Sequence, residues 1–445
     1  MNMNSIKKAL FPVFAAGLSA CACADLAATV TSVDWDSVKR NFTVAYSVSG
    51  GGAMVTFDAF DGDTPLGGEL LRGACGEINM RVDEGGHTFI WHADSSWTGT
   101  ASQVSIRVKA WAYDNPPPYM SVACFGSHAV NYYAGEEYLP YDVTNQYYKQ
   151  EAILFKKIPA KGITWTMGVA GESGHRAQHS VTFTNDYYVG VYPLTLGQYR
   201  NLARWDADTA VYGTVVAAGG ANAPQIARYY TADKSAYGRA RPLVWSAGFR
   251  FYIRDSESAT GTAGTWPRDG HRIIEGSTRF LDKLRGFVPG YDFDYPTEAQ
   301  WEYACRGGKG TKYCNGSDTN PDSVAWYAGN NTDDPGWVEG LPHAVGLKQP
   351  NAFGLYDIQG NVREACLDNW GGDVAMEDAI DPPGALYESD YVAKDANGLV
   401  DFKIVRGTGF NETSVRGSGE HATYLPGAQA VNHGVRLFCV AEYSE

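Results

Sequence analysis

Between a few short helical signals, the last two-thirds of the chain carries long stretches that follow neither a 3.6-residue nor a two-residue hydrophobic period. Loops of that length cannot be buried bare, because every buried backbone amide and carbonyl needs a partner. With 44% hydrophobic residues and 28 tyrosines they cannot all lie in solvent either. Such loops must be organised by hydrogen bonds, aromatic packing or a metal rather than by a regular core. The 51 glycines suit the tight turns this demands.

The helical signals fall at Thr195 to Arg204, at Ser277 to Leu284, where Phe280, Leu281 and Leu284 share one face, and at Pro296 to Ala304. At the last of these Thr297 can cap the helix while Gln300 reaches back to the cap's amide, which is a capping box. The preceding hundred residues differ in texture. Phe42 to Val48, Ala53 to Phe60 and Val104 to Trp111 place aromatic or β-branched residues at every second position, between glycine and aspartate turns. That period of two predicts an antiparallel sandwich, immunoglobulin- or fibronectin-like, over 25–134. Residues 135–150, polar and tyrosine-rich, read as a linker packed on a surface before a second domain over 151–445. Two domains also suit a chain of 445 residues.

The first 24 residues read as an export signal: Lys7-Lys8, an apolar stretch from Ala9 to Ala20, and Ala22-Cys23-Ala24 before Asp25. Leu18-Ser19-Ala20-Cys21 also resembles a bacterial lipobox, which would make Cys21 a lipid anchor. Both readings place the protein outside the cytoplasm, secreted or periplasmic. No later segment offers the roughly 18 uninterrupted apolar residues that a transmembrane helix needs. The formal charge is −14 and no basic run of five occurs, which argues against nucleic acid or an anionic membrane as partner. Six cysteines remain after such cleavage, and an even number in an exported chain points to disulfides. Cys75 and Cys124 could staple the sandwich.

One loop has the composition of a calcium site. From Gly354 to Glu364, two glycines and the Asp357/Asn361 pair fold the chain so that carbonyls converge, while Asp357 and Glu364 add hard anionic oxygens. The alternative is that both carboxylates cap turns and pair with arginines such as Arg306 or Arg406.

Five blocks in register resemble the formylglycine-generating enzyme (sulfatase-modifying factor) family. They are Thr166-Met167-Gly168 with the strands after it, Arg241-Pro242-Leu243, the stretch YPTEAQWEYACRGG from Tyr295 to Gly308, the stretch PNAFGLYDIQGNVRE from Pro350 to Glu364, and the pair Val405-Arg406-Gly407 and Gly434-Val435-Arg436. The resemblance implies an α+β, C-type-lectin-like fold with little regular secondary structure. It also implies a structural calcium held by the side chains of Asp357 and Glu364 and the carbonyls of Gly360 and Val362. It further suggests a bridge between Cys305 and Cys439, leaving Cys314 and Cys366 as a second pair, although four cysteines allow three pairings.

Where that family binds copper(I) between two cysteines, this chain has Glu412 and Gly417. Neither is a soft ligand, so copper is not expected. Glu412 is the one candidate catalytic residue, as a general base. His421 and His433, in the same region, read as surface residues. The favoured function is a binding or structural protein that presents residues 410–431 to a protein, peptide or glycan, the same place where retroelement-diversified relatives vary. The alternative is an extracytoplasmic oxidoreductase or protein-modifying enzyme that works without the cysteine pair. Trp326, Trp337 and Trp370 could stack sugars, but tryptophans in such a fold more often sit in the core, and they are not taken as ligand residues.

Overall fold

The computed structural model describes residues 25–169, 178–202, 240–242, 280–335, 339–369, 378–381, 403–424 and 432–441. The segment expected to be an export signal, with the possible anchor at Cys21, and Trp337, Trp370 and residues 425–431 lie outside these.

Two antiparallel sheets share one core in the first hundred residues. One runs Ala27–Asp36, Asn41–Ser49, Gly85–His92, Ala74–Gly76; the other is centred on Ala53–Asp61, which pairs with Val104–Trp111. Alternation decides which side chains point inward: Phe42, Val44, Tyr46 and Val48 are buried against Phe57, Phe89 and Trp91. Phe42 stacks on Trp91 with ring centroids 5.0 Å apart.

The expected boundary at 134 is too late. Tyr119–Ala123 and Val130–Tyr133 belong to the next domain, as the first two strands of a six-stranded antiparallel sheet. Its order is Val130–Tyr133, Tyr119–Ala123, Ala152–Ile158, Tyr187–Gly190, Phe438–Ala441, Tyr291–Asp294. Tyr119, Met120, Ser121 and Val122 are all buried, so this strand is covered on both faces and shows no alternation to read. The signal that marks the true boundary is Pro116-Pro117-Pro118, a run that cannot donate to a ladder. Within 135–150, Asn145 caps a short helix, Gln146–Gln150, and Tyr148 is fully buried.

All three helical signals correspond to helices, at Leu196–Leu202, Phe280–Phe287 and Glu298–Arg306. The last has both halves of the capping box and ends on Gly307 at φ 57°, the left-handed conformation that glycine adopts without strain. A smaller sheet, His421–Tyr424, Lys403–Arg406, Arg363–Asn369, His433–Gly434, packs beside this helix and carries the candidate site. The fold is α+β, mostly β with few helices.

The cysteine expectations are corrected. The six cysteines are free thiols. Cys75 lies exposed on the sandwich while Cys124 is buried in the core of the six-stranded sheet, so they do not meet. Cys439 belongs to that same core, whereas Cys305 sits in a different one against Cys314, with Cys366 nearby.

Candidate functional site

The Glu298 helix places Glu298 and Glu302 one turn apart on one face, and between them they hold Arg406, which is fully buried. Arg406 Nε lies 3.1 Å from Glu298 Oε1, and its Nη2 donates to Glu302 Oε2. Its other nitrogen, Nη1, donates to the carbonyls of Ser418 and Glu420 at 3.1 and 2.9 Å. Burial alone would lower the guanidinium pKa, but Glu298 and Glu302 raise it above its ordinary value. Glu302 also accepts from the Gly168 amide (2.9 Å) and Arg306 Nε (2.8 Å), tying three sequence blocks to one carboxylate.

The block from Pro350 to Glu364 fastens loops. Asn351 Nδ2 donates to the carbonyls of Ala304 and Cys305, satisfying the end of the Glu298 helix. Gln359 accepts from the Cys314 amide (2.7 Å) and donates to the carbonyls of Lys312 and Arg416. Asn361, at φ 71°, brackets His343 through both side-chain atoms, and its own carbonyl accepts from the Phe410 amide at 2.8 Å. Two side chains and a carbonyl thus hold three loops that no helix or sheet organises.

The four residues expected to hold calcium do not all fit one ion. Both oxygens of Glu364 are taken: Arg436 Nε approaches each at 3.0 Å, Arg436 Nη2 donates to Oε1 at 2.8 Å, and Trp301 Nε1 donates to Oε2 at 2.7 Å. Arg436 also donates to the carbonyls of Gly190, Val191 and Tyr356, so a guanidinium collects the mixture of carboxylate and carbonyls that would suit calcium. The pairing arginine is therefore Arg436, not Arg306 or Arg406. The Gly360 carbonyl accepts from the Val362 amide at 2.8 Å. Asp357 differs. It is buried at φ 55°, Oδ2 accepts from the Gly346 amide at 2.7 Å, and Oδ1 has no hydrogen-bond partner. Burial pushes its carboxyl up to about 6, opposed by the Gly346 amide, Arg436 and Lys149.

At the positions matching the copper cysteines, the loop is locked. Glu412 Oε1 accepts from Arg363 Nε (2.5 Å) and the Gly409 amide (2.7 Å), and Oε2 from Arg416 Nη2 (3.2 Å). Burial works to raise its pKa, but the Arg363 and Gly409 hydrogen bonds and both guanidinium charges hold it below the usual glutamate value. A carboxylate so engaged is a brace, with little basicity left to take a substrate proton. A Cβ at Gly417 would stand 3.1 Å from Lys312 Cγ and 3.0 Å from Glu420 Oε1, so a side chain there would need these two flexible side chains to shift slightly. Among the described residues no group of three or more His, Cys, Asp and Glu is placed to hold a metal. The thiols of Cys305, Cys366 and Cys439 are buried and raised well above the ordinary value, chiefly by desolvation, so none is a ready thiolate.

His421 and His433 are buried, which corrects their reading as surface residues. His433 is pushed down to about 4 by burial and by Arg363, with Glu412 opposing. Trp326 is buried too, stacked at 3.9 Å on His343 and covered by Lys348, so it offers no platform for a sugar. His343 bonds Asp334 (2.9 Å) and Asn331 (3.0 Å), and Asn331 donates to the Phe410 carbonyl, a second support for the loop. Of residues 410–431, Val415 and Gly417 to Gly419 are buried while Asn411, Thr413 and Ser414 face solvent. Sequence reasoning missed the Arg406, Arg436 and His343 hubs. The two arginines stood inside recognised blocks, but their partners are far away in the chain.

Residues 156–440 match the model of the sulfatase-modifying factor enzyme 1-like domain, well over half of the chain. The chain belongs to this family. Among curated relatives, the chaperone protein LppX of Paenibacillus barcinonensis is 42% identical over 82 residues, 16% of this chain and 29% of that protein. The formylglycine-generating enzyme of Mus musculus is 34% identical over 116 residues, 22% of this chain and 28% of the enzyme. The chain thus spans less than a third of the length of these relatives. Among solved structures, variable protein 1 of Treponema denticola is 19% identical at a TM-score of 0.43, covering 67% of this chain and 97% of that one. PvdO from Pseudomonas aeruginosa is 18% identical at a TM-score of 0.39, covering 64% and 94%.

Proposed function

We propose that this sulfatase-modifying-factor-like protein is exported and serves recognition or structure, without forming formylglycine. The observation that carries this is the bracing of Glu412 by Arg363, Arg416 and the Gly409 amide, where the oxidase chemistry would need a soft, exchangeable ligand. The brace holds Asn411, Thr413 and Ser414 in solvent on a fixed frame, a polar set suited to adaptable contacts with a protein, peptide or glycan. Calcium enters this proposal only through Asp357 Oδ1 and the carbonyls of Gly360 and Val362, since Glu364 is committed to Arg436.

The test is incubation with copper(I), oxygen and a cysteine peptide carrying a sulfatase motif, followed by mass spectrometry. The expected result is a peptide of unchanged mass. Conversion of the cysteine with loss of its sulfur would establish the alternative, a protein-modifying oxidase that dispenses with the cysteine pair.

A further inference from the structure

A cleft of about 240 Å³ opens where the sandwich meets the segment 131–147, far in sequence from the Glu412 loop. The two walls are fixed to each other. Arg72 Nε donates to the Pro140 carbonyl at 3.0 Å, and its guanidinium lies 4.2 Å above the Tyr141 ring. Gly68 approaches so closely that a Cβ there would stand 1.9 Å from the Leu139 carbonyl oxygen. The cleft is therefore a built feature, present because a glycine lets two backbones touch beside it.

Its lining has a definite chemistry. Tyr138, Tyr141 and Tyr147 are half-buried and present both ring and phenol, while Asn79 and Asn131, also half-buried, add carboxamides. Among the described residues neither carboxamide, nor the Tyr138 or Tyr141 hydroxyl, is spent on a hydrogen bond within the protein. Asp, Glu, His and Lys are all absent from the lining, so the cleft offers no carboxylate or imidazole for acid–base work and no anionic side chain to a ligand. Its volume lies below the roughly 300–1,000 Å³ of drug-sized pockets, which leaves space for a single ring.

We infer that this cleft binds one neutral sugar residue of a glycan. A pyranose offers an apolar C–H face to a tyrosine ring and a rim of hydroxyls that both donate and accept, matching carboxamides, phenols and one guanidinium. This site is distinct from the proposed 410–431 surface and does not depend on it.

The test uses the full chain with methyl α-mannoside, methyl β-galactoside and the methyl β-glycoside of N-acetylglucosamine, read by saturation-transfer NMR. Transfer to at least one glycoside is expected. It should weaken about five-fold in affinity in Asn131→Ala, the loss of one or two neutral hydrogen bonds, and vanish in Ala134→Trp, which fills the cleft. Thermal unfolding of Asn131→Ala is expected to match wild type, so that variant decides the matter if the larger substitution disturbs folding. Absence of transfer from all three glycosides overturns the inference. So does undiminished transfer in Asn131→Ala and Ala134→Trp, which would place any sugar elsewhere on the molecule.

Discussion

At the scale of single residues, two buried titratable groups have opposite effects on stability between pH 4 and 7. His433 has a folded pKa of about 4, below its unfolded value. The unfolded chain therefore takes the proton first, and the contribution of His433 is full above about pH 6.5 and is lost as pH falls toward 4, on the order of 3 kcal/mol in all. Asp357 has its folded pKa raised to about 6. Here the folded state holds the proton longer, so stability falls as pH rises from about 4 to 6, by a similar amount. Asp357→Asn should remove that cost: the carboxamide keeps an acceptor for Gly346, and Asn tolerates the left-handed backbone at this position. Urea denaturation in calcium-free buffer should find the variant more stable than wild type at pH 7 and nearly equal at pH 4. Added calcium should stabilise wild type and not the variant. A variant weaker than wild type at pH 7 without calcium would contradict the account of Asp357. His433→Gln tests the other sign: its stability should change less than that of wild type between pH 6.5 and 4.

At the scale of elements, the Glu298 helix shows why a short helix organises so much loop. Removing its cap with Thr297→Ala should cost about 1 kcal/mol, since one amide loses its acceptor. Glu302→Gln should cost more, about 3 kcal/mol or above, because it leaves buried Arg406 and Arg306 short of countercharge. Denaturation midpoints of the two variants will rank them, and equal effects would mean the Arg406 cluster is not a stabilising hub. The same helix marks how far the site could be read from sequence. The capping box was legible because its two residues are three apart and their chemistry is local. Arg406 and Arg436 were visible only as letters in recognised blocks, since their partners lie 104 and 72 positions away. The alternation that reveals the sandwich is absent from strands buried on both faces, which is why the sequence does not show that Tyr119–Ala123 pairs with the Ala152 strand. The carboxylates Asp357, Glu364 and Glu412 are visible in the sequence as candidates. Their roles depended on which cation stands beside each, and spacing along the chain does not carry that.

At the scale of the whole molecule, the two domains share more than a chain connection. Tyr132 donates its amide to the Asn79 carbonyl at 2.8 Å, the Arg81 guanidinium lies 4.8 Å over the Tyr291 ring, and Met54 of the sandwich is buried in the core of the six-stranded sheet. A fragment that begins at Gly135, after the boundary suggested by sequence, would lack the Tyr119 and Val130 strands. That leaves the Ala152 strand as an unpaired edge with Phe155 and Ile153 uncovered, a condition that favours aggregation over folding. A fragment that begins at Asn115 keeps all six strands and gives up the Met54, Asn79 and Arg81 contacts and those of Gly68 and Arg72 with residues 139–141. Expressed side by side, the longer fragment should be soluble and unfold cooperatively, at a lower temperature than the full chain. The shorter should be insoluble or lack a cooperative transition. Cooperative unfolding of the shorter fragment would show that the first two strands are an accessory to the sulfatase-modifying-factor-like domain, and would restore the boundary near residue 134.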